Sequence, residues 1–414
     1  MNAGLIVIIL LLVLSILGIP IYLALGIGTL VALNMADMPF IVLPQKLFAG
    51  MNSSSLLAIP FFMLAGNIMS RSITGKLIDV SNALIGWIKG SLAVVTVLAS
   101  ALFGAISGSG VATASAVGGT TIPAMKEEGY PDHFAAAISG IAAILGPIIP
   151  PSITLIVYAS ITDLSVSKLF VGSVIPGILM AVGLIIYALF YGKKNDLPAH
   201  ERKSAKEVLL IFKDSIWALL MPVIILGGIY GGIFTPTEAA GVSVIYGLFV
   251  GVFIYKEIHA KELIRVFVDS AVSSATIMFI IACAAVYAWI MTTSGVAADL
   301  SAAILSISEN KIMILCIINI IFLIAGCFLD ANSAFYILLP IITPVLASLG
   351  VNMVHAGVFL TVNMAIGLVT PPVGINLYVG CKAGNVSVGE ICRKIVPFLI
   401  AGIVSLVLIT YIEP

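Results

Sequence analysis

Two double prolines lie inside apolar runs where a helix would otherwise continue, in Gly146-Pro-Ile-Ile-Pro-Pro-Ser152 and in Gly367-Leu-Val-Thr-Pro-Pro-Val373. A proline has no N–H, and its ring clashes with the carbonyl four residues earlier. Pro150 and Pro151 therefore release the carbonyls of Gly146 and Pro147, while Pro371 and Pro372 release those of Gly367 and Leu368. Unmet carbonyls in a nonpolar surrounding are costly. An unwound turn of bare oxygens with hydroxyls beside it is the chemistry a sodium ion requires; a packing kink is the alternative for any one proline. Upstream of each break is a segment too rich in small and polar residues to face lipid. Residues 103–123 hold Ser107-Gly-Ser-Gly110, Thr113, Ser115 and Gly118-Gly-Thr-Thr121, and residues 329–344 open with Asp330, Asn332 and Ser333. Both read as re-entrant hairpins whose tips, meeting near the midplane, would offer hydroxyls and N–H groups to an anion. Gly118 and Gly119 are assigned to close packing, and Ser107, Ser109, Asp330 and Asn332 to the site. Asp330, ionisable within an apolar stretch, reads as functional, holding a cation or orienting a substrate hydroxyl.

The two constellations are copies. Pro123 and Pro344, Gly129 and Gly350, Gly146 and Gly367, Pro150-Pro151 and Pro371-Pro372, and Pro176 and Pro397 are each 221 residues apart. Chance aligns one glycine or proline, not six constrained backbone positions in register, so the chain contains two copies of one structural unit. Residues 1–192 are expected to form the first repeat and 214–414 the second, each with scaffold helices followed by a hairpin and a broken helix. Repeats of this kind are commonly inverted across the bilayer.

The elements that position these residues must be membrane helices. The chain has 414 residues, 61% hydrophobic and 9% charged, with a mean hydropathy of +1.22, against roughly a quarter charged in a soluble domain. At about 20 apolar residues per span there is room for roughly ten to twelve helices and no sizeable soluble domain. Net charge is zero, giving no reason to expect nucleic acid. The apolar run from Ala3, longer than a signal peptide, reads as one spanning helix. The one long polar segment, 192–213, carries Lys193, Lys194, Arg202, Lys203, Lys206 and Lys213 and is placed as a basic linker (193–213) in the cytoplasm. Glu238 reads as a helix cap or a cross-element tie. The five cysteines lack metal or redox spacing and read as packing residues. The expected fold class is thus an all-α multi-span bundle with two inverted repeats, re-entrant hairpins and proline-broken helices.

Together, Ala58-Ile-Pro-Phe-Phe-Met-Leu-Ala-Gly-Asn67, Phe103-Gly-Ala-Ile-Ser-Gly-Ser-Gly110, the two double-proline motifs and the stretch from Gly232 to Ala240 resemble the large membrane subunit of tripartite ATP-independent periplasmic (TRAP) transporters over nearly the whole chain. The resemblance implies a bacterial inner-membrane symporter of elevator type, driven by sodium and not by ATP. Its substrate, an organic acid such as sialic acid or a C4-dicarboxylate, would come from a periplasmic binding protein, and a small four-helix membrane subunit would be its partner. It also implies at least two sodium sites, one near Ser107, Gly146, Ile149 and Pro150, the other near Gly326, Gly367, Thr370 and Val373. Substrate would meet Ser109, Ser152 and Asp330, with Asn332 at the same hairpin tip. The absence of an arginine clamp tilts the expected substrate toward a hydroxylated acid.

Other classes fare less well. A stand-alone anion symporter of the same superfamily would differ in needing no binding protein. An intramembrane enzyme is disfavoured, since no paired aspartates, histidine metal motif or nucleophile setting stands out. A purely structural subunit would not carry polar, proline-broken repeats at such cost.

Overall fold

The computed structural model describes residues 2–413, without the side chain of Ala260, and those residues contain helices and no strand. Among the described residues, seven helices are long and apolar enough to cross a bilayer, nine if two bent pairs each count as one span. That is fewer than the length alone allows. The apolar run from Ala3 accounts for part of the difference: it is two short helices, Ala3–Ile16 and Ile21–Met35, packed on one another. Gly18, at a φ of +80°, and Pro20 turn the chain between them. At the α-helical rise each is only about 21–23 Å long, short of the roughly 30 Å hydrocarbon core.

The repeat is visible element by element. In the first copy, Ser91–Ser107 and Gly110–Glu127 form a helical hairpin, followed by a helix broken between Asp132–Ala142 and Ile153–Thr162 and then by the long Val166–Lys194. The second copy runs Lys311–Phe328, Ala331–Ser348, Met353–Gly367, Ile375–Gly384 and Val388–Tyr411. Both Pro-Pro bonds are cis, and Gly129 and Gly350 both take positive φ at the turn after the hairpin. The second hairpin arms begin at Gly110 and Ala331, keeping the 221-residue offset, but beyond the breaks the helices start at Ile153 and Ile375, then Val166 and Val388, an offset of 222. Gly374, with φ +57° at the start of Ile375–Gly384, lies where the register shifts. Pro176 and Pro397 are therefore one residue out of structural step, a correction to their apparent match.

Each hairpin is larger than its polar stretch indicated. The apolar segments ending at Ser107 and Phe328 are the first hairpin arms, joined to the second by Gly108-Ser109 and Leu329-Asp330. The basic linker is shorter than expected, because Val166–Lys194 continues through Lys194 and the next helix, Ala205–Tyr230, opens within it. Ser204 starts that helix with a reciprocal capping box to Glu207. The intervening residues are pinned: Gly90 N–H donates to the Pro198 carbonyl, His200 N–H to the Gly86 carbonyl, and the His200 ring lies 2.9 Å from Glu128. Burial raises the Glu128 carboxyl above its ordinary range, and the His200 interaction opposes that rise. Glu238 forms the same kind of box with Thr235, with Pro236 in the first helical turn, which settles it as a cap.

Tight packing ties the two repeats to one another, and one buried polar chain laces the second. Phe134 stacks on Tyr191 at 3.7 Å, with Phe398 5.9 Å from Phe134, which ties the first broken helix to the long helices that end both repeats. Asn363 donates to the Asn319 carbonyl and to Asn319 Oδ1, both at 2.9 Å; Asn319 donates to Thr410 Oγ1 at 3.1 Å. Three helices are thereby laced in a dry interior where each unmet group is costly. Asn363→Ala leaves two acceptors of Asn319 without that donor and should lower stability by about 1–3 kcal/mol. Thermal unfolding in detergent would show it, and an unchanged midpoint would remove the chain from the list of structural ties.

Candidate functional site between the hairpin tips

The hairpin tips face one cavity of about 910 Å³. Ser109, Ala112, Ser115, Gly119 and Thr120 line it from the first hairpin, and Asp330 and Asn332 from the second. Its opposite wall comes from two helices outside the hairpins, with Met63, Asn67 and Ser70 of Ala58–Ser72 and residues from Val272 to Ile280 of Ala260–Thr293. Asn67 Nδ2 donates to Ser270 Oγ at 2.8 Å and braces that wall. Asp330 is the one charged residue among the lining side chains, and no Lys or Arg joins them.

Each tip residue begins a helix of 18 residues. Ser109 Oγ accepts from Ala112 N–H at 3.4 Å, and Asp330 accepts from the Asn332 and Ser333 N–H groups at 3.1 and 3.2 Å and from the Ser333 hydroxyl. Two helix N-termini, each carrying partial positive charge and N–H groups, are thus turned toward one polar space. They differ in charge: Asp330 already supplies a carboxylate to its helix, whereas Ser109 leaves the other end uncompensated. Asp330 is therefore first an N-cap, a role that the intramembrane position of a carboxylate did not by itself disclose. Asn332 Oδ1 has no hydrogen-bond partner among the described residues.

The first break is buried directly beneath the first tip. A Cβ on Gly146 would lie 2.6 Å from the Ser109 carbonyl oxygen and 2.7 Å from Thr113 Oγ1, and one on Gly104 would lie 2.9 Å from Gly146 Cα. Ser107 Oγ and Thr113 Oγ1 are 3.3 Å apart, both buried, and Ile153 N–H reaches back to the Gly108 carbonyl at 3.3 Å. Ser107, the Ser109 carbonyl, Thr113 and Gly146 therefore converge, with Pro150 buried nearby and Ile149 half-buried. Thr113 is a member that the proline argument did not single out; its position one turn after Ser109, with its hydroxyl donating to the Ser109 carbonyl at 2.8 Å, was the available signal.

The second break is looser. Gly326 and Gly367 touch backbone to backbone, since a Cβ on Gly367 would lie 2.5 Å from Gly326 Cα, and Gly374 N–H donates to the Cys327 carbonyl at 3.3 Å. Thr370 and Val373 are half-buried and Pro372 is exposed. Thr370 Oγ1 donates to the Ile366 carbonyl at 2.8 Å.

Most of the carbonyls released by proline have found donors within the chain. Ser152 Oγ donates to the Pro147 carbonyl, Asn376 N–H to Leu368 and Thr370 N–H to Gly367, the last two at 3.0 Å. The Gly146 carbonyl has no such bond among the described residues. Ser152, expected at the substrate, is fully buried and N-caps Ile153–Thr162 instead of lining the cavity. Gly118 is packed as expected, its Cβ position 2.4 Å from Ser139 Oγ; Gly119 is not, having open space where it lines the cavity.

Residues 8–414 match the family model described as tripartite ATP-independent periplasmic transporter, DctM component. The chain belongs to this TRAP transporter family. It is 41% identical over 368 residues to the C4-dicarboxylate TRAP transporter large permease protein DctM of Pseudomonas aeruginosa, covering 89% of this chain and 86% of that protein. Identity to the sialic acid TRAP transporter large permease protein SiaM of Vibrio cholerae is 34% over 366 residues, covering 88% and 86%. The YdaH transporter of Alcanivorax borkumensis, solved by crystallography, superposes with a TM-score of 0.63 at 14% identity over 99% of this chain and 98% of that one; at that identity the likeness is one of fold. The TRAP large permease is thus a multi-pass membrane protein whose two hairpin tips face one polar cavity, with a break packed against each hairpin.

The close approaches at the breaks make their glycines the sharpest point of test. Gly146→Ala or Gly367→Ala must displace backbone and should cost about 1–3 kcal/mol, while Gly241→Ala, with nothing within 4 Å of the added methyl, should be neutral or stabilising. Thermal unfolding of the three variants decides it, and equal midpoints would contradict the contacts described.

Proposed function

We propose that this chain is the transport subunit of a sodium-driven importer of an organic acid. The chain would sit in the bacterial inner membrane with a small four-helix membrane subunit as companion and receive its substrate from a soluble periplasmic binding protein. The observation that carries the reading is the cavity shared by the two tips, which meets an anion with helix N-termini and hydroxyls and has a carbonyl-rich break beside each tip. Sodium in this scheme takes oxygens from Ser107, Thr113 and the Gly146 carbonyl at the first break, and from the turn between Gly367 and Val373 at the second. Ion and substrate then stabilise the same tip, the physical basis for coupling.

Motion follows from the two-sided cavity. The hairpins and broken helices of the inverted repeats would move together, elevator fashion, against a scaffold that includes Ala3–Ile16, Ile21–Met35, Ala205–Tyr230 and Pro236–Phe249. The basic segment after Lys194 would face the cytoplasm.

On substrate, the charge difference between the tips supports a single strongly held carboxylate. That carboxylate would sit at the Gly110 end beside Ser109, leaving Asp330 to accept from a substrate hydroxyl, which favours a hydroxylated acid of the sialic type. The higher identity to a C4-dicarboxylate permease, 41% against 34%, favours the second candidate. Uptake of labelled sialic acid and C4-dicarboxylates into proteoliposomes holding both membrane subunits distinguishes them. The expected result is accumulation only with an inward sodium gradient and the cognate binding protein. Ser109→Ala should lower uptake at subsaturating substrate about tenfold or more, the loss of one hydrogen bond to an ionised group of about 1.5–3 kcal/mol. Uptake indifferent to the binding protein would indicate a stand-alone symporter, and uptake indifferent to sodium would overturn the cation scheme.

A further inference from the structure

Away from the tips, Val166–Lys194, Met353–Gly367 and Val388–Tyr411 enclose a second space of about 700 Å³. Its walls are apolar, with Val171, Ile175, Val358 and Leu408 among them, and Val171 and Ile175 are 56% and 67% exposed. One end is polar: Lys168, Asn352, His355 and Glu413 gather there. Neither Lys168 nor Glu413 is in an ion pair among the described residues. His355 is 6% exposed, its Nε2 lies 3.1 Å from the Thr410 carbonyl, and its Nδ1 has no partner. Because a carbonyl only accepts, Nε2 carries the proton of that bond. Lys311 approaches His355 and Glu413 from an adjoining cavity of about 190 Å³ that also touches Thr410 and Tyr411.

An apolar furrow ending in separate positive and negative groups is the complement of a zwitterionic phospholipid. We propose that this groove binds one phosphatidylethanolamine-type lipid, an acyl chain lying along Val171, Ile175, Val358 and Leu408. Its phosphate takes Lys168 and the Asn352 amide; its ammonium takes Glu413. A phosphatidylglycerol headgroup offers the same phosphate but no cation for Glu413, so it binds less well. Lys168 stands at the opposite end of a 29-residue helix from Lys193 and Lys194, about 40 Å away along its axis. On the cytoplasmic placement proposed above for that basic end, the lipid belongs to the outer leaflet. It would fasten the helix leading into the second break to the long helices that close both repeats.

The test is native mass spectrometry of the two-subunit complex, released from vesicles of equal phosphatidylethanolamine and phosphatidylglycerol content. Phosphatidylethanolamine should be retained at least threefold over phosphatidylglycerol. Val171→Trp, which fills the furrow, should abolish the excess, and Glu413→Gln should bring the two lipids to near parity while leaving total lipid unchanged. Thermal unfolding of each variant separates lost binding from lost folding, and a variant that fails to fold is replaced by Ile175→Trp. No headgroup preference in the wild type, a preference untouched by both variants, or protection of the groove by the small subunit in its place would each overturn the proposal. The readout is lipid retention, so failure of the transport scheme would not affect it.

Discussion

A backbone carbonyl in the interior of a membrane protein must be given a partner, and the double prolines remove the ordinary one at two equivalent places. Much of the architecture around the breaks answers that removal. Glycine meets glycine at Gly104–Gly146 and Gly326–Gly367 because an unwound segment can be buried against a hairpin only if backbone touches backbone. Ser152 and the N–H of Asn376 are turned inward to occupy carbonyls that the prolines freed. The first break, deeply buried, sets Gly146 against the Ser109 carbonyl and Thr113, and the Gly146 carbonyl takes no hydrogen bond among the described residues.

Charge in the cavity obeys a similar economy. No basic side chain lines its walls, so the positive potential there comes from two helix N-termini. Asp330 cancels much of that potential at one tip while fixing the tip's shape through three hydrogen bonds. The two repeats thus share a frame and differ in electrostatics. Ser109 and Asp330 occupy matching positions in the frame, 221 residues apart, and this substitution of a neutral cap by a charged one separates the two halves chemically.

Much of this was legible in the sequence, for reasons particular to proline, glycine and hydroxyl residues. The breaks and the repeat could be read because proline forbids a hydrogen bond regardless of surroundings. The roles of Ser152 and Asp330 could not, because a serine or aspartate before a helix caps it or lines a site according to neighbours that are distant in sequence. Thr113 lies inside the helix one turn after Ser109, and only the fold sets its hydroxyl against Gly146. The single apolar run from Ala3 reads as one span because hydropathy outweighs Gly18 and Pro20, although those two residues carry the turn. Groups brought together by folding, such as Asn67 with Ser270 or Lys168 with Glu413, leave no local pattern.

The central claim is that the two breaks, each with its hairpin tip, bind sodium as built sites. Hydrogen–deuterium exchange of the two-subunit complex, compared in sodium and in potassium at equal ionic strength, tests it without needing to know the substrate. Sodium should slow exchange in peptides covering residues 104–113 and 146–154 and, to a lesser degree, 326–333 and 367–376, with the scaffold helices unchanged. Identical exchange in the two salts across all four stretches would contradict it.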